Sequence, residues 1–213
     1  MVRNNRKTLI ITSIITLLPI LIGILYWDRL PDSMATHFGM DNQANGYSGK
    51  VFAIFGLPLL LLVAQWFCAF LTANDPRRKN ISSKMFTLVL WIIPVVSLLS
   101  AATMYPYNLG MRPDITFYAE LFMGVLFIIV GNFLPKARQN YTIGIRAPWT
   151  LANEENWNRT HRFAGFLWIG GGILMVLMTL LGVRRIEVFL VILFVISLVP
   201  LGYSFWLHAK RGL

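Results

Sequence analysis

Six stretches of this chain run to about 20 predominantly apolar residues each, the length that crosses the hydrocarbon core of a bilayer. They cover residues 8–27, 51–73, 85–105, 115–134, 163–182 and 186–207. Hydrocarbon offers backbone groups no outside partner, so each stretch is predicted to be an α-helix. The pattern specifies an all-α integral membrane protein, a six-transmembrane-helix bundle. The first stretch follows Arg3, Arg6 and Lys7 as a signal peptide would, but it ends in Tyr26-Trp27-Asp28-Arg29 with no small-residue cleavage site. It is therefore expected to be retained. Pro19, Pro58, Pro94 and Pro200 fall inside spans and are expected to be static kinks, because neighbouring groups re-satisfy the freed carbonyls.

Two polar connections are long, 28–50 and 135–162. Structureless loops beyond about 12–15 residues are uncommon unless they are functional, so both are predicted to be ordered. The expected organisation is a two-helix membrane domain over 1–80 carrying the first loop, and a four-helix domain over 81–213 carrying the second. In the first loop Pro31 and Asp32 start a turn. Thr36-His37-Phe38 reads as a short extended or turn unit, and Asn42, Asn45 and Gly46 suit positive φ where the chain doubles back. Lys50 then leads into the second span.

In the second loop Pro135 closes the fourth span and Gly144 permits a turn. Ala147 precedes Pro148 and must be extended. Trp149 suits the membrane interface. Thr150 is the predicted helix N-cap, with Glu154 and Glu155 in the first turns and Glu155 spaced i,i+4 from Arg159. That helix is expected to run unbroken into the fifth span, with Trp157, His161, Ala164 and Trp168 on one stripe. His161 and Arg162 then stand where it enters the membrane. Two readings of Arg146, Arg159 and Arg162 stay open: basic groups that hold headgroups, or part of a folded polar cluster.

Composition sharpens the class. Of 213 residues 56% are hydrophobic and only 13% charged, against about 25% charged in soluble domains, which excludes both a soluble domain and a disordered chain. The formal charge of +10 would raise nucleic-acid binding in a soluble protein. Here the basic residues cluster at the ends of apolar runs, and no direct nucleic-acid contact is expected. Fourteen of the 19 Lys and Arg lie at the N-terminus, the second connection, the fourth connection and the C-terminus. The other five are Arg29, Lys50, Arg112, Arg184 and Arg185. The positive-inside rule then places both termini and loop 135–162 in the cytoplasm and loop 28–50 outside. Cys68, the single cysteine, cannot form an internal disulfide and reads as a core- or lipid-facing residue.

Candidate chemistry is sparse. His37, Asp32 and Asp41 match no defensible metal-ligand spacing, and neither metal nor cofactor is expected. Glu154-Glu155 through Arg159 spells EExxxR, similar to the first motif of the CAAX-type intramembrane proteases, a family that includes bacteriocin-immunity members. That family's Phe-x-x-x-His and His-x-x-x-Asn motifs are missing, so catalysis is not expected. Glu120 lies inside the fourth span, where a carboxylate is a functional candidate and leaves a toxin exporter or transporter as an alternative. No internal repeat supports an inverted-repeat transporter.

Two patterns carry a resemblance. Leu30, Pro31, Thr36, His37, Phe38, Gly46 and Lys50 are similar to an uncharacterised N-terminal domain of bacterial membrane proteins, with Asn42 and Asn45 replacing a usual Gly and Asp. Asn140, Gly144, Ile145, Arg146, Pro148, Trp149, Thr150, Leu151, Trp157, His161, Arg162 and Gly165 resemble the signature of the SdpI family. That resemblance implies a multi-pass immunity protein of the bacterial cell membrane, protecting the producing cell from its own secreted peptide or protein toxin. In the best-known system of the family the protein also holds a repressor at the membrane, so the partners implied are the lipid bilayer, the toxin and a cytoplasmic transcriptional repressor. The candidate inner cluster is Asn140, Gly144, Arg146, Pro148, Trp149, Trp157, His161 and Arg162. The candidate outer residues are Pro31, Thr36, His37, Phe38 and Lys50.

Overall fold

The computed structural model describes residues 5–183 and 185–212; Arg3 and Arg184 lie outside them. Among the described residues six helices are long and apolar enough to cross a membrane. They are α1 (Arg6–Leu25), a π-helical turn Phe52–Gly56 continuing into α2 (Leu57–Ala73), α3 (Ser83–Asn108), α4 (Ile115–Phe133), α6 (Glu154–Leu180) and α7 (Ile186–Arg211), with a short α5 (Pro148–Ala152) before α6. The chain is an all-helical, multi-span membrane protein in its spans. Pro58 stands two residues past the π turn, which reorganises the hydrogen bonding just where proline lacks an N–H.

The first loop forms a two-stranded antiparallel hairpin of β1 (Ser33–Phe38) and β2 (Ala44–Gly49), the one sheet among the described residues. The extended unit expected at 36–38 is thus six residues long. Of the three positions expected to take positive φ, only Asn42 does so, at 60°; Asn45 and Gly46 lie within β2.

Two compact units emerge, Met1–Ala73 with Phe86–Tyr118, and Asn74–Met85 with Ala119–Leu213. This differs from the expected division at residue 80, because most of α3 packs with α1, α2 and the hairpin. In the first unit Leu30 and Met34 of the hairpin region bury against Ala53, Ile54, Ala101, Met104 and Tyr105. The Asn108 amide clasps β1 from both sides, accepting from Ala35 N–H at 2.8 Å and donating to Ala35 carbonyl at 3.0 Å. At the hairpin tip Asn42 Oδ1 accepts the Thr116 N–H at 2.8 Å, satisfying one of the orphan amides at the start of α4. Deeper in the unit Gln65 joins α1 and α2 by donating to Thr12 Oγ1 at 2.6 Å and accepting from Thr16 Oγ1 at 2.8 Å. Buried amides in a span need such partners.

In the second unit α4 and α6 meet along glycines spaced seven apart. A Cβ on Gly172 would lie 2.6 Å from the Gly124 carbonyl oxygen, and one on Gly165 would lie 2.8 Å from that of Gly131. Small residues here let the two backbones touch. Gly172→Ala is expected to destabilise the protein by about 2 kcal/mol through overpacking. Gly170→Ala, with nothing within 4 Å of the added carbon, should leave it unchanged. Thermal unfolding in detergent compares the two.

Candidate functional site

The second long loop is folded by its own side chains. Asn140, 2% exposed, closes the first turn: its Oδ1 accepts the N–H groups of Thr142 at 3.0 Å and Ile143 at 2.7 Å. Its Nδ2 donates to the carbonyls of Arg138 at 2.8 Å and Ile143 at 3.1 Å. Asparagine suits this position because one short amide replaces several backbone partners at once. Gly144 follows with φ +118°, a conformation L side chains rarely adopt.

That turn aims the next amide into α6. Ile145 N–H donates to His161 Nε2 at 2.9 Å, and His161 Nδ1 donates to the Trp157 carbonyl at 2.8 Å. One ring nitrogen accepts and the other donates, so the network holds His161 as the neutral Nδ1–H tautomer. The Trp157 ring stacks on His161 with centroids 4.0 Å apart, and its Nε1 donates to the Ala137 carbonyl at 2.7 Å. Asn140, Gly144, Trp157 and His161 therefore form one block that closes the loop onto α6.

The continuation corrects two expectations. Ala147 is extended as predicted, at φ −96° and ψ 156°, but Thr150 is the third residue of α5 rather than its N-cap. Its hydroxyl accepts the Ala147 N–H at 2.9 Å and lies 2.9 Å from the Ile145 carbonyl, to which it donates. The helix does not run unbroken into the span either. Asn153 is extended and its side chain accepts the Asn156 N–H, capping α6 afresh. Asparagine is a strong N-cap, and Thr150 is already committed to the loop. Glu154 and Glu155 do fall in the first turn of α6, and Glu155 pairs with Arg159.

Trp149 is turned onto α7. Its Nε1 donates to Ser204 Oγ at 2.7 Å, and its ring meets Phe205 edge-on at 5.4 Å. Ser204 Oγ in turn donates to Asn156 Oδ1 at 2.8 Å, while Asn156 Nδ2 donates to the Ser204 carbonyl at 3.0 Å. Neither Asn156 nor Ser204 was singled out by the sequence pattern; a serine within the last apolar stretch was the available signal.

Asp75 was missed as well. It is 2% exposed and accepts the N–H of Tyr141 at 2.8 Å, the hydroxyl of Thr142 at 2.8 Å and the N–H of Arg77 at 2.7 Å. Gln139 strengthens the same junction. Its Nε2 donates to the Thr150 carbonyl at 2.7 Å, its Oε1 accepts from Arg77 and its own carbonyl accepts from Asn80 Nδ2 at 2.7 Å. The connection 74–82 is thus the second wall of the loop, and the Asn-Asp-Pro sequence at 74–76 was its only trace.

The candidate cluster divides accordingly. Trp157 and His161 are buried together, Trp149 rests on α7 and Pro148 opens α5 from an exposed position. Arg146 is exposed and donates to the Tyr141 carbonyl at 2.8 Å, and Arg162 is exposed with no hydrogen bond or ion pair among the described residues. Arg162 is therefore not part of the folded block. Glu120 is half-buried and accepts from Thr179 Oγ1 of α6 at 3.4 Å.

Of the outer residues Thr36, His37 and Phe38 lie on β1, while Pro31 precedes it and Lys50 follows β2. Thr36 and Ser48 share a hydroxyl hydrogen bond at 3.1 Å, and His37 bonds the Asn45 side chain at 2.5 Å. Phe38 packs edge-on against Tyr107, Lys50 pairs with Asp32 and Pro31 is exposed. No group of three or more His, Cys, Asp or Glu among the described residues is arranged to hold a metal ion.

Residues 136–204, which hold Asn140, Gly144, Trp157, His161 and Ser204, match the SdpI/YfhL protein family. The chain carries the SdpI/YfhL region. Residues 14–62, with the whole hairpin, match a domain of unknown function, DUF1648. The chain is 26% identical over 197 residues, 91% of its own length and 91% of the relative's, to the immunity protein SdpI of Bacillus subtilis (strain 168). No solved structure matches it. Both resemblances read from the sequence are thereby established, and the SdpI/YfhL region coincides with the loop, α5, α6 and most of α7.

Proposed function

We propose that this chain is a membrane immunity protein that binds a secreted peptide or protein toxin. The observation that carries the reading is the breadth of the likeness to the Bacillus immunity protein, which spans 91% of both chains and so includes the hairpin and the SdpI/YfhL loop together. The distribution of Lys and Arg supports an orientation with the hairpin outside and the loop in the cytoplasm. The toxin would meet the outer side. Arg146 and Arg162, both exposed, are the residues offered to a cytoplasmic repressor. Toxin binding would act on them only by favouring one of two conformations through differential affinity.

A non-enzymatic mechanism fits the geometry of the carboxylates. Glu154 and Glu155 are exposed at a helix start, where the dipole favours anions, and Glu155 is engaged by Arg159. Expression in a toxin-sensitive bacterium tests the reading. The wild-type chain should confer survival, and Glu155→Ala should protect equally. A stable, membrane-inserted Arg146→Ala/His161→Ala variant should protect less; full protection by it would remove the inner cluster from the mechanism. Failure of the wild-type chain to protect against any secreted toxin of its own producer would sink the immunity reading.

A further inference from the structure

Lys50 stands on the side of the membrane that basic residues avoid in this chain, one of five there against fourteen on the other. Its side chain is tucked in, 13% exposed, whereas its partner Asp32 is fully exposed at 101%. Lys50 Nζ reaches Asp32 Oδ1 at 3.0 Å and the Trp27 carbonyl at 3.3 Å, and lies 5.2 Å over the Trp27 ring. Two of its three protons thus have acceptors, and the third has none among the described residues. The pair with an exposed carboxylate is screened by solvent and gives little reason to withdraw a lysine from water.

Lys50 and Asp32 both line an open groove of about 770 Å³, whose remaining wall is mostly apolar: Trp27, Val51, Phe52, Phe55 and Leu59. The π-helical turn Phe52–Gly56 forms its wall, and Gly56 makes room for the Phe52 ring, which an added Cβ would meet at 2.5 Å. π turns recur at functional sites. Trp27 and Tyr26 follow the end of α1, where such aromatics sit at headgroup level. From Lys50 to Leu59 the helix rises roughly 13 Å, close to half of the ~30 Å hydrocarbon core. The groove thus carries a lysine at one end of this stretch and apolar side chains along the rest.

We propose that this groove is a binding site for one acidic phospholipid, its phosphate on Lys50 and an acyl chain along Phe52, Phe55 and Leu59. With Asp32 and the Trp27 carbonyl taking two of its protons, Lys50 offers the third to the phosphate, and the apolar wall of Phe52, Phe55 and Leu59 suits an acyl chain. Lys50 is also one of the candidate outer residues, but the test reads lipid retention by the purified chain, so its failure is distinguishable from failure of the toxin-binding reading.

The test uses purified full-length chain in detergent, titrated with phosphatidylglycerol and with phosphatidylcholine of the same acyl chains and read by native mass spectrometry. Phosphatidylglycerol should be retained about tenfold better, the scale of one charge-assisted hydrogen bond. Lys50→Gln should abolish the preference and Lys50→Arg should keep it. Leu59→Trp should fill the groove and lower retention of both lipids while leaving thermal unfolding unchanged, so it decides the matter even if Lys50→Gln fails to fold. Free glycerophosphate should not compete, since it lacks the chain. Equal retention of the two lipids, a preference that survives Lys50→Gln, lipid retention untouched by Leu59→Trp, or displacement of the lipid by glycerophosphate would each overturn the assignment. So would a hydrophobic peptide that occupies the groove where phospholipid does not.

Discussion

Gly144→Ala is expected to destabilise the second unit by about 3 kcal/mol and to open the loop between Asn140 and Ala147 to protease. Two costs combine. At φ +118° an alanine is strained by roughly 1–3 kcal/mol, because positive φ crowds Cβ against the neighbouring backbone. The added carbon would also lie 2.3 Å from His161 Nε2. A flexible side chain could step aside, but His161 is fixed by the Trp157 carbonyl and by stacking on the Trp157 ring. Displacing it forfeits the Ile145 hydrogen bond, another ~1 kcal/mol. Gly110→Ala separates the two costs, since Gly110 has φ +88° and nothing within 4 Å of the added carbon. It should show the strain alone. In the double variant with His161→Ala the losses should be less than additive, because the clash disappears with the ring. Strict additivity in unfolding measurements would show that the contact is not the cause.

Trp157→Ala should be the most damaging single truncation in the loop, lowering stability by roughly 3–5 kcal/mol as large buried aromatics do. Trp157 is 0% exposed and heads the fully buried side chains by size. Its removal leaves a cavity under the loop, an Ala137 carbonyl without its donor and His161 without its stacking partner. Trp157→Phe keeps most of the apolar contact and loses only the indole N–H, so it should cost about 1–2 kcal/mol. Denaturation in detergent ranks the two. Equal losses would mean that the hydrogen bond to Ala137, not the buried ring, holds the loop.

Both predictions concern residues that the sequence pattern flagged and the structure explains as a clamp. Gly144 is there for its backbone, Asn140 for a turn and Trp157 for burial, and His161 receives the amide that the glycine turn delivers. Arg146 and Arg162 fall outside that explanation, because both are exposed and neither holds α6 to the loop. This is why they, rather than the buried members, are proposed to meet a partner.

What could be read from the sequence alone was local. The six spans are set by the length of hydrocarbon and the need of each backbone group for an internal partner, and the helices follow the apolar runs. The extended Ala147 before Pro148 and the Glu155–Arg159 pair depend on neighbours one to four positions away. The rest needed the tertiary structure. Asp75 holds residues 66 and 67 positions distant, and Asn156 bonds Ser204 across 48. Asn42 caps α4 from the tip of a hairpin 74 residues earlier. Each of these polar side chains is an ordinary loop or helix residue until folding brings its partner to it. Only then does the loss of water make the partner obligatory, and Thr150, held by the Ala147 N–H and the Ile145 carbonyl, is committed to the loop, leaving Asn153 to start the next helix.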